Sequence, residues 1–559
     1  MNLADCSALS WECILNHFLA TTAAAATLVV VFYSTGRTKK RETSTKEQQQ
    51  QHEYEYPPYA PVGIVKTLIE LSGSRTPWFF LKMARKTSSD VFRLPLPIPG
   101  GLYIVCNPEV GRTILTDETT DKAEGMYKGF NTVIGGPTVF TRSNHGRISG
   151  PKWKAVRRGT AHAFASSQVS RMNHICAKHV DHWITENIQK AEADAQVQAE
   201  ESKQQQQQHV SFQFDPSEEM TRLTFKALAE SAFEYHVTDE EYDFFTHHVQ
   251  TASKEFVVRR QRIIRKLYAF LDPSYWEAVR SCKKFQTFGQ RVLDAYRTNP
   301  NKSSHNTLIK LIEENTSLKT DWEKVAEINV WMLAGYDTTG YTLANAVVLL
   351  AKHPRVATKL QQELSSVENP NERSKSKYLR CVISEVQRIL PITASGSARV
   401  TGRDFEFFDR NDSGNCGIGG IDGIISNSSN GSASSSNENI KVRARVMCIP
   451  CGSNVVVPFL VSHRFPSIFK EPDDFYPERW DTPNDNDNND KAKAMKAALT
   501  PFSVGMRNCP GQSLAMTEML TALTRLMADF ELEVQTEGSF QVMRFIGFRL
   551  RATRVTKQC

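Results

Sequence analysis

Apolar residues recur every three or four positions along much of the chain, the spacing of helices that bury one face. The clearest helix covers residues 320–353, where a capping-box pattern precedes the apolar positions and Pro354 follows them. A helix of about 33 residues is roughly 50 Å long and can cross a whole domain. Residues 91–106 and 441–457 instead carry β-branched and aromatic residues between prolines and glycines, which predicts two pairs of strands. These patterns predict a large, mostly helical protein with short strands.

An apolar run near the N-terminus departs from this periodicity. It covers the 21 residues 13–33, about 31 Å of helix, which is enough to cross the hydrocarbon core of a membrane. A basic cluster at 37–41 follows the run and acidic residues precede it, so the positive-inside rule places the following chain in the cytosol. The lack of a basic n-region disfavours a cleaved signal peptide. We expect an uncleaved membrane anchor over residues 1–41, with a processed targeting segment as the alternative.

The pattern after the anchor predicts one domain that is interrupted by polar insertions. Residues 42–61 are Gln-rich and then Pro-rich, a composition typical of a linker. Low-complexity segments occur near 190–209, 409–440 and 484–490, and none of them carries enough apolar residues to fold alone. We therefore expect a linker over 42–61 and a single domain over 62–559, with the three segments as surface insertions.

Composition and charge exclude several classes of protein. The 559 residues are 40% hydrophobic and 23% charged, so the chain is neither largely disordered, nor collagen-like, nor a multi-span membrane protein. A net charge of +7 is mild for this length and gives no argument for nucleic-acid binding. The 11 cysteines are odd in number and scattered, which disfavours a disulfide framework. Cys448 and Cys451 form a CxxC pair, but no second pair completes a zinc site.

The most informative segment is the sequence FSVGMRNCPG at 502–511. Cys509 directly precedes an amphipathic helical pattern and Pro510 suits a first helical turn, so the helix N-terminus is expected to stabilise a thiolate. The glycines allow a flat ligand to approach the backbone, and Arg507 can bind a carboxylate through two nitrogens. These residues indicate a thiolate presented to a metal cofactor with acidic side groups. For a lone cysteine, a buried thiol in a tight turn would be the simpler interpretation.

The fixed positions of this segment match the pattern F-x-x-G-x-R-x-C-x-G. The chain thereby resembles the cytochromes P450, the haem-thiolate monooxygenases. The resemblance implies a mostly α fold with a small β-rich lobe (α+β), in which haem b (iron protoporphyrin IX) lies between the long helix and the cysteine loop. It implies that Cys509 is the proximal iron ligand. The loop residues implied to contact the haem are Phe502, Gly505, Arg507, Cys509 and Gly511.

The long helix contains a second motif of this family, AGYDTT, which begins at Ala334. By resemblance, Ala334 and Gly335 lie against the haem. Thr338 would hydrogen-bond the oxygen substrate, and Asp337 would pass protons to it from solvent. Gly335 and Gly340 each cost about 1 kcal/mol relative to alanine inside a helix. We attribute that cost to the close approach of a ligand.

Three further motifs follow the family pattern, at 153–157 (WKAVR), 385–388 (EVQR) and 475–480 (FYPERW). The charges of the second motif are three residues apart and therefore share one helix face. The residues implied to contact a haem propionate are Trp153, Arg157 and Arg399. The residues implied to form a buried, structural charge network are Glu385, Arg388 and Arg479.

The resemblance predicts an oxidoreductase that inserts one atom of dioxygen into a lipophilic substrate. Electrons would come from NADPH through a membrane-bound flavoprotein reductase, with cytochrome b5 as a further candidate donor. The sequence does not choose among sterols, fatty acids, terpenoids and xenobiotics. The basic segment 152–158 is either a docking face for the donor or a solvated face. The anchor favours the endoplasmic reticulum with the catalytic domain in the cytosol, and a plastid-type membrane stays open.

Two alternative functions are distinguished by the acid–threonine pair. A member of the same fold can rearrange a peroxide without dioxygen or a reductase, but such relatives usually lose the pair that this chain keeps as Asp337 and Thr338. A non-enzymatic haem sensor has no need for that pair. Absence of turnover with a competent reductase would favour the sensor.

Overall fold

The structure is a computed structural model, and most of the chain from Glu55 onward belongs to one compact unit. The predicted anchor at 1–41, residues 42–54 of the predicted linker and the insertion at 409–440 lie outside the described residues. No helix among the described residues is long and apolar enough to cross a membrane. The described residues are 55–71, 75–146, 149–202, 210–258, 268–408, 446–481, 490–541 and 543–555.

Helices make up most of the described chain. A π-helical turn covers Lys254–Val258, and a 3-10 helix at Gly505–Arg507 lies in the cysteine loop. The α-helices are α1 (Ile64–Leu71), α2 (Thr76–Thr87), α3 (Pro108–Thr116), α4 (Glu124–Ile134), α5 (Ser149–Ala161), α6 (Ser166–Ser202), α7 (Pro216–Phe233), α8 (Asp239–Ser253), α9 (Pro273–Thr298), α10 (Leu308–Glu313), α11 (Asp321–Lys352), α12 (Pro354–Ser366), α13 (Lys377–Ile389), α14 (Phe459–Ser462), α15 (Asp490–Ala498) and α16 (Gln512–Asp529).

Short strands form the β-rich part of the fold. Within the described residues they build sheets of order β1-β2-β8-β5-β3, β4-β12-β9, β6-β7 and β10-β11, whose bounds follow. The strands are β1 (Val91–Arg93), β2 (Leu102–Val105), β3 (Asp121–Lys122), β4 (Ser211–Phe214), β5 (Ser397–Val400), β6 (Phe405–Phe408), β7 (Val446–Ile449), β8 (Asn454–Val457), β9 (Phe530–Thr536), β10 (Ser539–Gln541), β11 (Arg544–Ile546) and β12 (Arg549–Arg554).

Helix α11 is the central element of the fold, and the helix predicted at 320–353 is confirmed. The hydroxyl oxygen of its N-cap residue, Thr320, accepts a hydrogen bond from the Glu323 N–H at 3.3 Å. The Glu323 carboxylate accepts from the Lys319 N–H and not from the Thr320 N–H, so only one of the two hydrogen bonds of the predicted capping box forms. Most residues from Val325 to Ala351 are buried, which is typical of a helix packed on several sides. The mostly α fold with a small β-rich lobe is confirmed.

The two glycines of α11 allow α7 to approach. A Cβ atom on Gly335 would lie 2.5 Å from Leu228 Cδ2, and one on Gly340 would lie 2.7 Å from Thr221 Cα. The Thr224 hydroxyl of α7 also donates a hydrogen bond of 3.1 Å to a backbone carbonyl of α11, that of the residue directly after Gly335. The close approach of α7 accounts for Gly340, where a Cβ atom would meet backbone, and the contact of Ala334 and Gly335 with a haem stays a prediction.

The strands of segment 441–457 belong to different sheets. The pair predicted within 91–106 is confirmed, since β1 and β2 are antiparallel. The pair predicted within 441–457 is wrong, because β7 pairs with β6 whereas β8 pairs with β2 and β5. The turn between β7 and β8 is held by Thr401, whose carbonyl accepts the Gly452 N–H at 2.9 Å and whose hydroxyl accepts the Ser453 N–H at 2.9 Å. These bonds direct the chain into the second sheet.

Two boundaries differ from the sequence-based expectation. Residues 55–60, predicted as linker, run along the β-rich part: Glu55 bridges to Met447, and the Ala60 N–H donates to the Arg93 carbonyl at 2.8 Å. The packed domain thus begins before residue 62. Helix α6 continues to Ser202, so the first part of the insertion near 190–209 is helical.

Candidate functional site

The cysteine loop, residues 502–511, is closed by its own backbone. The Cys509 N–H donates to the Phe502 carbonyl at 2.8 Å. Gly505 has φ +74°, and a Cβ atom there would lie 2.4 Å from the Leu115 carbonyl oxygen, so only glycine fits. Helix α16 begins at Gln512 with Gly511 as N-cap, so Pro510 precedes the helix and does not lie in its first turn.

Burial opposes ionisation of the Cys509 thiol. It raises the pKa of Cys509, while the Gly511 N–H and the Arg157 guanidinium act in the opposite direction. The Gly511 N–H at the start of α16 thus acts in favour of the thiolate, as predicted for the helix N-terminus, and the removal of the sulfur from water has the larger, opposite effect. A bound metal ion would replace the proton and supply the missing positive charge.

Arg157 holds the cysteine loop. Its Nη2 donates to the carbonyl oxygen of Asn508 at 3.0 Å and to the side-chain oxygen of Asn508 at 2.7 Å. Burial lowers the pKa of Arg157, and the adjacent Cys509 opposes that effect. In this arrangement Nη2 of Arg157 fixes the residue before the candidate ligand, a role that the motif W-x-x-x-R does not disclose.

Arg507 of the cysteine loop packs against the ring of Trp153. The guanidinium carbon of Arg507 lies 4.5 Å from the centre of the Trp153 ring. The indole N–H donates to the Val139 carbonyl at 3.0 Å, so its hydrogen is already used within the protein. Nη2 of Arg507 donates to the carbonyls of Arg142 at 2.8 Å and Phe140 at 3.3 Å. Nη1 of Arg507 is buried and has no hydrogen-bond partner among the described residues.

Lys122, Arg399 and Arg507 gather positive charge at one place. Lys122 and Arg399 are only 8% and 2% exposed. Burial, Arg507 and Arg399 together hold the pKa of Lys122 well below its usual range. Burial and Arg399 lower the pKa of Arg507 to about 9. The nearby Asp121 carboxylate accepts the backbone N–H of Asn144 at 2.8 Å. Buried like charges are costly without a counter-ion, so this cluster favours an anionic ligand.

Lys122 was missed by sequence reasoning. It lies on the two-residue strand β3, and its ammonium nitrogen is 3.7 Å from the centre of the Tyr127 ring and 4.2 Å from that of Phe140. No motif surrounds it in the sequence, because the contacts that make it important come from separate segments.

The acid and the alcohol of α11 have different surroundings. Thr338 donates its hydroxyl hydrogen to the Ala334 carbonyl at 2.7 Å, which leaves its oxygen as an acceptor. Ala334 lies one turn before Thr338 and is exposed on a helix whose residues are mostly buried. Asp337 accepts a hydrogen bond from Arg544 Nη2 of β11 at 2.6 Å, and the Arg544 guanidinium carbon is 3.9 Å from the Tyr341 ring centre. The partner Arg544 was not expected from the sequence.

The structure brings Glu385, Arg388 and Arg479 into one buried network. Glu385 accepts from Arg388 Nε and Nη2 and from Arg479 Nε, each at 2.9 Å, and both Glu385 and Arg388 are fully buried. The Tyr476 N–H and the Trp480 indole also donate to Glu385, at 2.9 Å each. The Glu385 carboxylate is thus saturated with donors, which indicates a structural role.

A short chain of hydrogen bonds links this network to the cysteine loop. Nη1 of Arg388 donates to the His463 carbonyl at 3.2 Å, and Nε2 of His463 accepts the Thr500 N–H at 3.0 Å. The Thr500 carbonyl accepts the Ser503 N–H at 2.9 Å. Burial, with Arg388 in addition, lowers the pKa of His463 to about 3, so the ring stays neutral and can accept. The network therefore supports the loop that carries Cys509.

A family model described as "Cytochrome P450" matches residues 57–411 and 435–548. The chain belongs to the cytochrome P450 family. Cytochromes P450 are monooxygenase oxidoreductases that hold a haem iron.

Two curated cytochromes P450 and one crystal structure place the chain among known relatives. It is 25% identical to cytochrome P450 3A6 of Oryctolagus cuniculus over 464 residues, which cover 78% of each chain. It is 31% identical to cytochrome P450 3A31 of Mesocricetus auratus over 221 residues, which cover 38% of this chain and only 35% of that protein. The crystal structure of the cytochrome P450DA heme domain has TM-score 0.62 at 18% identity, covering 90% of this chain and 98% of that one, and shows the same fold.

The residues of this cytochrome P450 fit a haem. The unpartnered Nη1 of Arg507 and the buried cations around it match the two carboxylates of the cofactor. The nearest neighbours of a Cβ atom built on Gly511 would be a Phe164 ring carbon at 3.8 Å and Cys509 Sγ at 4.0 Å. The backbone next to the Cys509 sulfur is therefore not crowded by other atoms. The residues that would hold the cofactor's carboxylates are Lys122, Arg399 and Arg507.

The basic segment of this cytochrome P450 does not present one uniform face. Lys152 pairs with Glu323, and Arg157 is held by the cysteine loop. Lys154 and Arg158, one helical turn apart on α5, are exposed. These two are the exposed cations of the segment.

Proposed function

We propose that this cytochrome P450 is a haem-thiolate monooxygenase that inserts one atom of dioxygen into a lipophilic substrate. The proposal rests on the closed loop that presents Cys509 beside a buried cluster of cations. A haem iron bound there supplies the activation of dioxygen and the oxidation of the substrate. No other arrangement among the described residues combines a thiol with such a demand for an anionic ligand.

The residues of the chain hold the cofactor, fix its orientation and position the proton donors and acceptors. Cys509 provides the sulfur ligand, and Arg157 fixes the neighbouring backbone through Asn508. Arg507, Arg399 and Lys122 pair with the carboxylates of the cofactor and so fix its orientation. The Thr338 hydroxyl donates its hydrogen to the Ala334 carbonyl, so its oxygen can accept a hydrogen bond from the oxygen substrate. Asp337 holds a carboxylate next to it, and Arg544 sets the direction of that carboxylate.

The redox partner and the membrane belong to the same proposal. Electrons come from NADPH through a flavoprotein reductase, with cytochrome b5 as a second donor. The exposed Lys154 and Arg158 are suited to an acidic donor. The apolar run at 13–33 supports a membrane anchor and concentrates the catalytic domain where sterols, fatty acids, terpenoids and apolar xenobiotics dissolve. The endoplasmic reticulum is the proposed location, with a plastid-type membrane as the alternative.

Two other functions have less support from the residues of the site. A peroxide-rearranging enzyme of the same fold needs no proton delivery, and a haem sensor needs no reaction at all. Asp337 and Thr338 together on the long helix support the monooxygenase over both.

Turnover in lipid vesicles with an NADPH-dependent flavoprotein reductase tests the proposal. Lipophilic compounds are first screened for shifts of the haem spectrum and then incubated with isotope-labelled dioxygen. We expect a product that carries one labelled oxygen atom and forms only with NADPH and reductase. An isomer of an organic hydroperoxide that keeps both of its oxygen atoms and forms without reductase would favour the rearranging enzyme. Haem-loaded protein that yields no product in either assay would favour the sensor.

A further inference from the structure

A turn at residues 138–142, here called the support turn, carries the backbone acceptors for Trp153 and Arg507. Its own shape is set by the Thr138 carbonyl, which accepts the N–H groups of Thr141 at 3.1 Å and Arg142 at 2.9 Å. The carbonyls that receive the Trp153 indole and Nη2 of Arg507 all come from this turn. The direction of the Arg507 guanidinium therefore depends on where the turn lies.

Glu327 of α11 fixes the opposite side of the support turn. Its carboxylate is fully buried and accepts the Val139 N–H at 2.9 Å and Arg142 Nη1 at 2.9 Å. Arg142 is itself 5% exposed. This buried pair lies outside the network of Glu385 and outside the acid–threonine pair. The Glu327 carboxylate binds both the main chain and a side chain of the support turn, and it thereby fixes the position and the rotation of the turn.

We propose that Glu327 is a positioning residue which, together with Arg142, fixes the support turn and thereby aims the free Nη1 of Arg507 at a haem carboxylate. This inference rests on the proposed function, because it assumes a haem beside Cys509. Partners of a ligating group that act through a second residue commonly change cofactor affinity about tenfold or more. The guanidinium is held by two carbonyls and one ring, so a displacement of the turn removes the two hydrogen bonds together.

The variant Glu327→Gln separates charge from shape. Burial raises the pKa of Glu327 to about 7, and Arg142 and the Val139 N–H oppose that effect. Glutamine keeps the size of the side chain and removes its charge. The amide oxygen can still accept the Val139 N–H, but the charge that holds Arg142 is lost. Arg142→Met removes the same interaction from the other side and serves as the second variant.

The test measures haem retention and the iron midpoint potential in the haem-loaded full chain. Transfer of haem to excess apomyoglobin gives the rate of loss, and a spectroelectrochemical titration gives the potential. We expect Glu327→Gln and Arg142→Met to lose haem about tenfold faster and to have lower potentials, because a carboxylate without its cation stabilises ferric iron. Glu531→Gln on β9 is the matched control. It makes the same chemical change at an exposed carboxylate outside the support turn, so both readouts stay at the wild-type value.

A double-variant cycle separates positioning from general stability. In an Arg507→Met background, Glu327→Gln is expected to cause no further acceleration of haem loss, since its effect acts through Arg507. Equal effects of Glu327→Gln in both backgrounds would overturn the proposal, as would wild-type rates in both single variants. These outcomes require a wild-type protein with thiolate-bound haem. A wild type without such a haem would instead overturn the proposed function.

Discussion

Replacement of Glu518 by glutamine is expected to stabilise the protein at neutral pH and to have little effect at pH 5. Glu518 lies on α16, is 3% exposed and has an Oε1 atom without a hydrogen-bond partner among the described residues. Burial raises the pKa of Glu518 from 4.5 to about 8. Glutamine has the same shape and cannot ionise, so it removes the titration and little else.

The sign of the effect follows from the two pKa values. A carboxyl whose pKa is higher in the folded protein contributes stability that is fully present below the unfolded value of 4.5 and is lost as pH rises through about 8. Between pH 5 and pH 7 this loss amounts to about 2.5 kcal/mol for a shift of that size. The free energy of unfolding of Glu518→Gln should therefore rise relative to wild type by about that amount over the same interval.

Urea unfolding of both proteins at several pH values between 5 and 8, followed by tryptophan fluorescence, measures this difference. Taking the difference between the two proteins cancels the titration of the groups that they share. Glu531→Gln on β9 is the matched control, because the same chemical change is made at an exposed position and should give a flat difference. A flat difference for Glu518→Gln as well would refute the reasoning, since it would mean that Glu518 is not held neutral by burial.

Three further predictions concern the network, the loop and the acid. Glu385→Gln leaves two buried guanidinium groups without their carboxylate, so it should lower the free energy of unfolding by about 3–5 kcal/mol and reduce haem content, measured by urea unfolding and by the Soret band. Gly505→Ala places a methyl group 2.4 Å from a carbonyl oxygen at φ +74°, so thermal unfolding monitored at the Soret band should occur at a lower temperature. Arg544→Gln releases Asp337 from its 2.6 Å ion pair, so product formed per NADPH should fall roughly tenfold while the resting haem spectrum stays unchanged.

The glycine and arginine variants each have a control within the chain. Gly452 has φ +77°, and a Cβ atom there would meet no atom within 4 Å, so Gly452→Ala carries the backbone strain without the clash. Arg551 pairs with a surface carboxylate at 3.8 Å, and its replacement by glutamine should leave product per NADPH unchanged. The first prediction would be contradicted if Glu385→Gln were as stable as wild type. The second would be contradicted if Gly505→Ala unfolded at a temperature no lower than that of Gly452→Ala. The third would be contradicted if Arg544→Gln formed as much product per NADPH as wild type.

The long helix could be predicted because its information is local. A cap at Thr320, a sustained apolar pattern and Pro354 define α11 within one stretch of sequence. The pairing of β7 and β8 could not be predicted in the same way. Both are correctly placed strands, but their partners are decided by Thr401, which lies far along the chain. Strand existence is a local property, whereas strand pairing depends on the tertiary fold.

The candidate site shows the same limit. Cys509, Arg507 and Gly505 could be identified because their spacing along one loop reflects one local geometry. Lys122 and Arg544 could not, since each acquires its importance from charges on other segments. Motif spacing also gave no sign that Nη2 of Arg157 bonds to the loop itself.

The absorption spectrum of the dithionite-reduced protein, with and without carbon monoxide, tests the central claim most directly. A strongly red-shifted Soret band that is lost in Cys509→Ser is the predicted result, because that shift would report a haem held by the Cys509 thiolate. A haem spectrum without that shift would contradict the claim that Cys509 is the iron ligand. Folded protein that takes up no haem would contradict the whole account of the site.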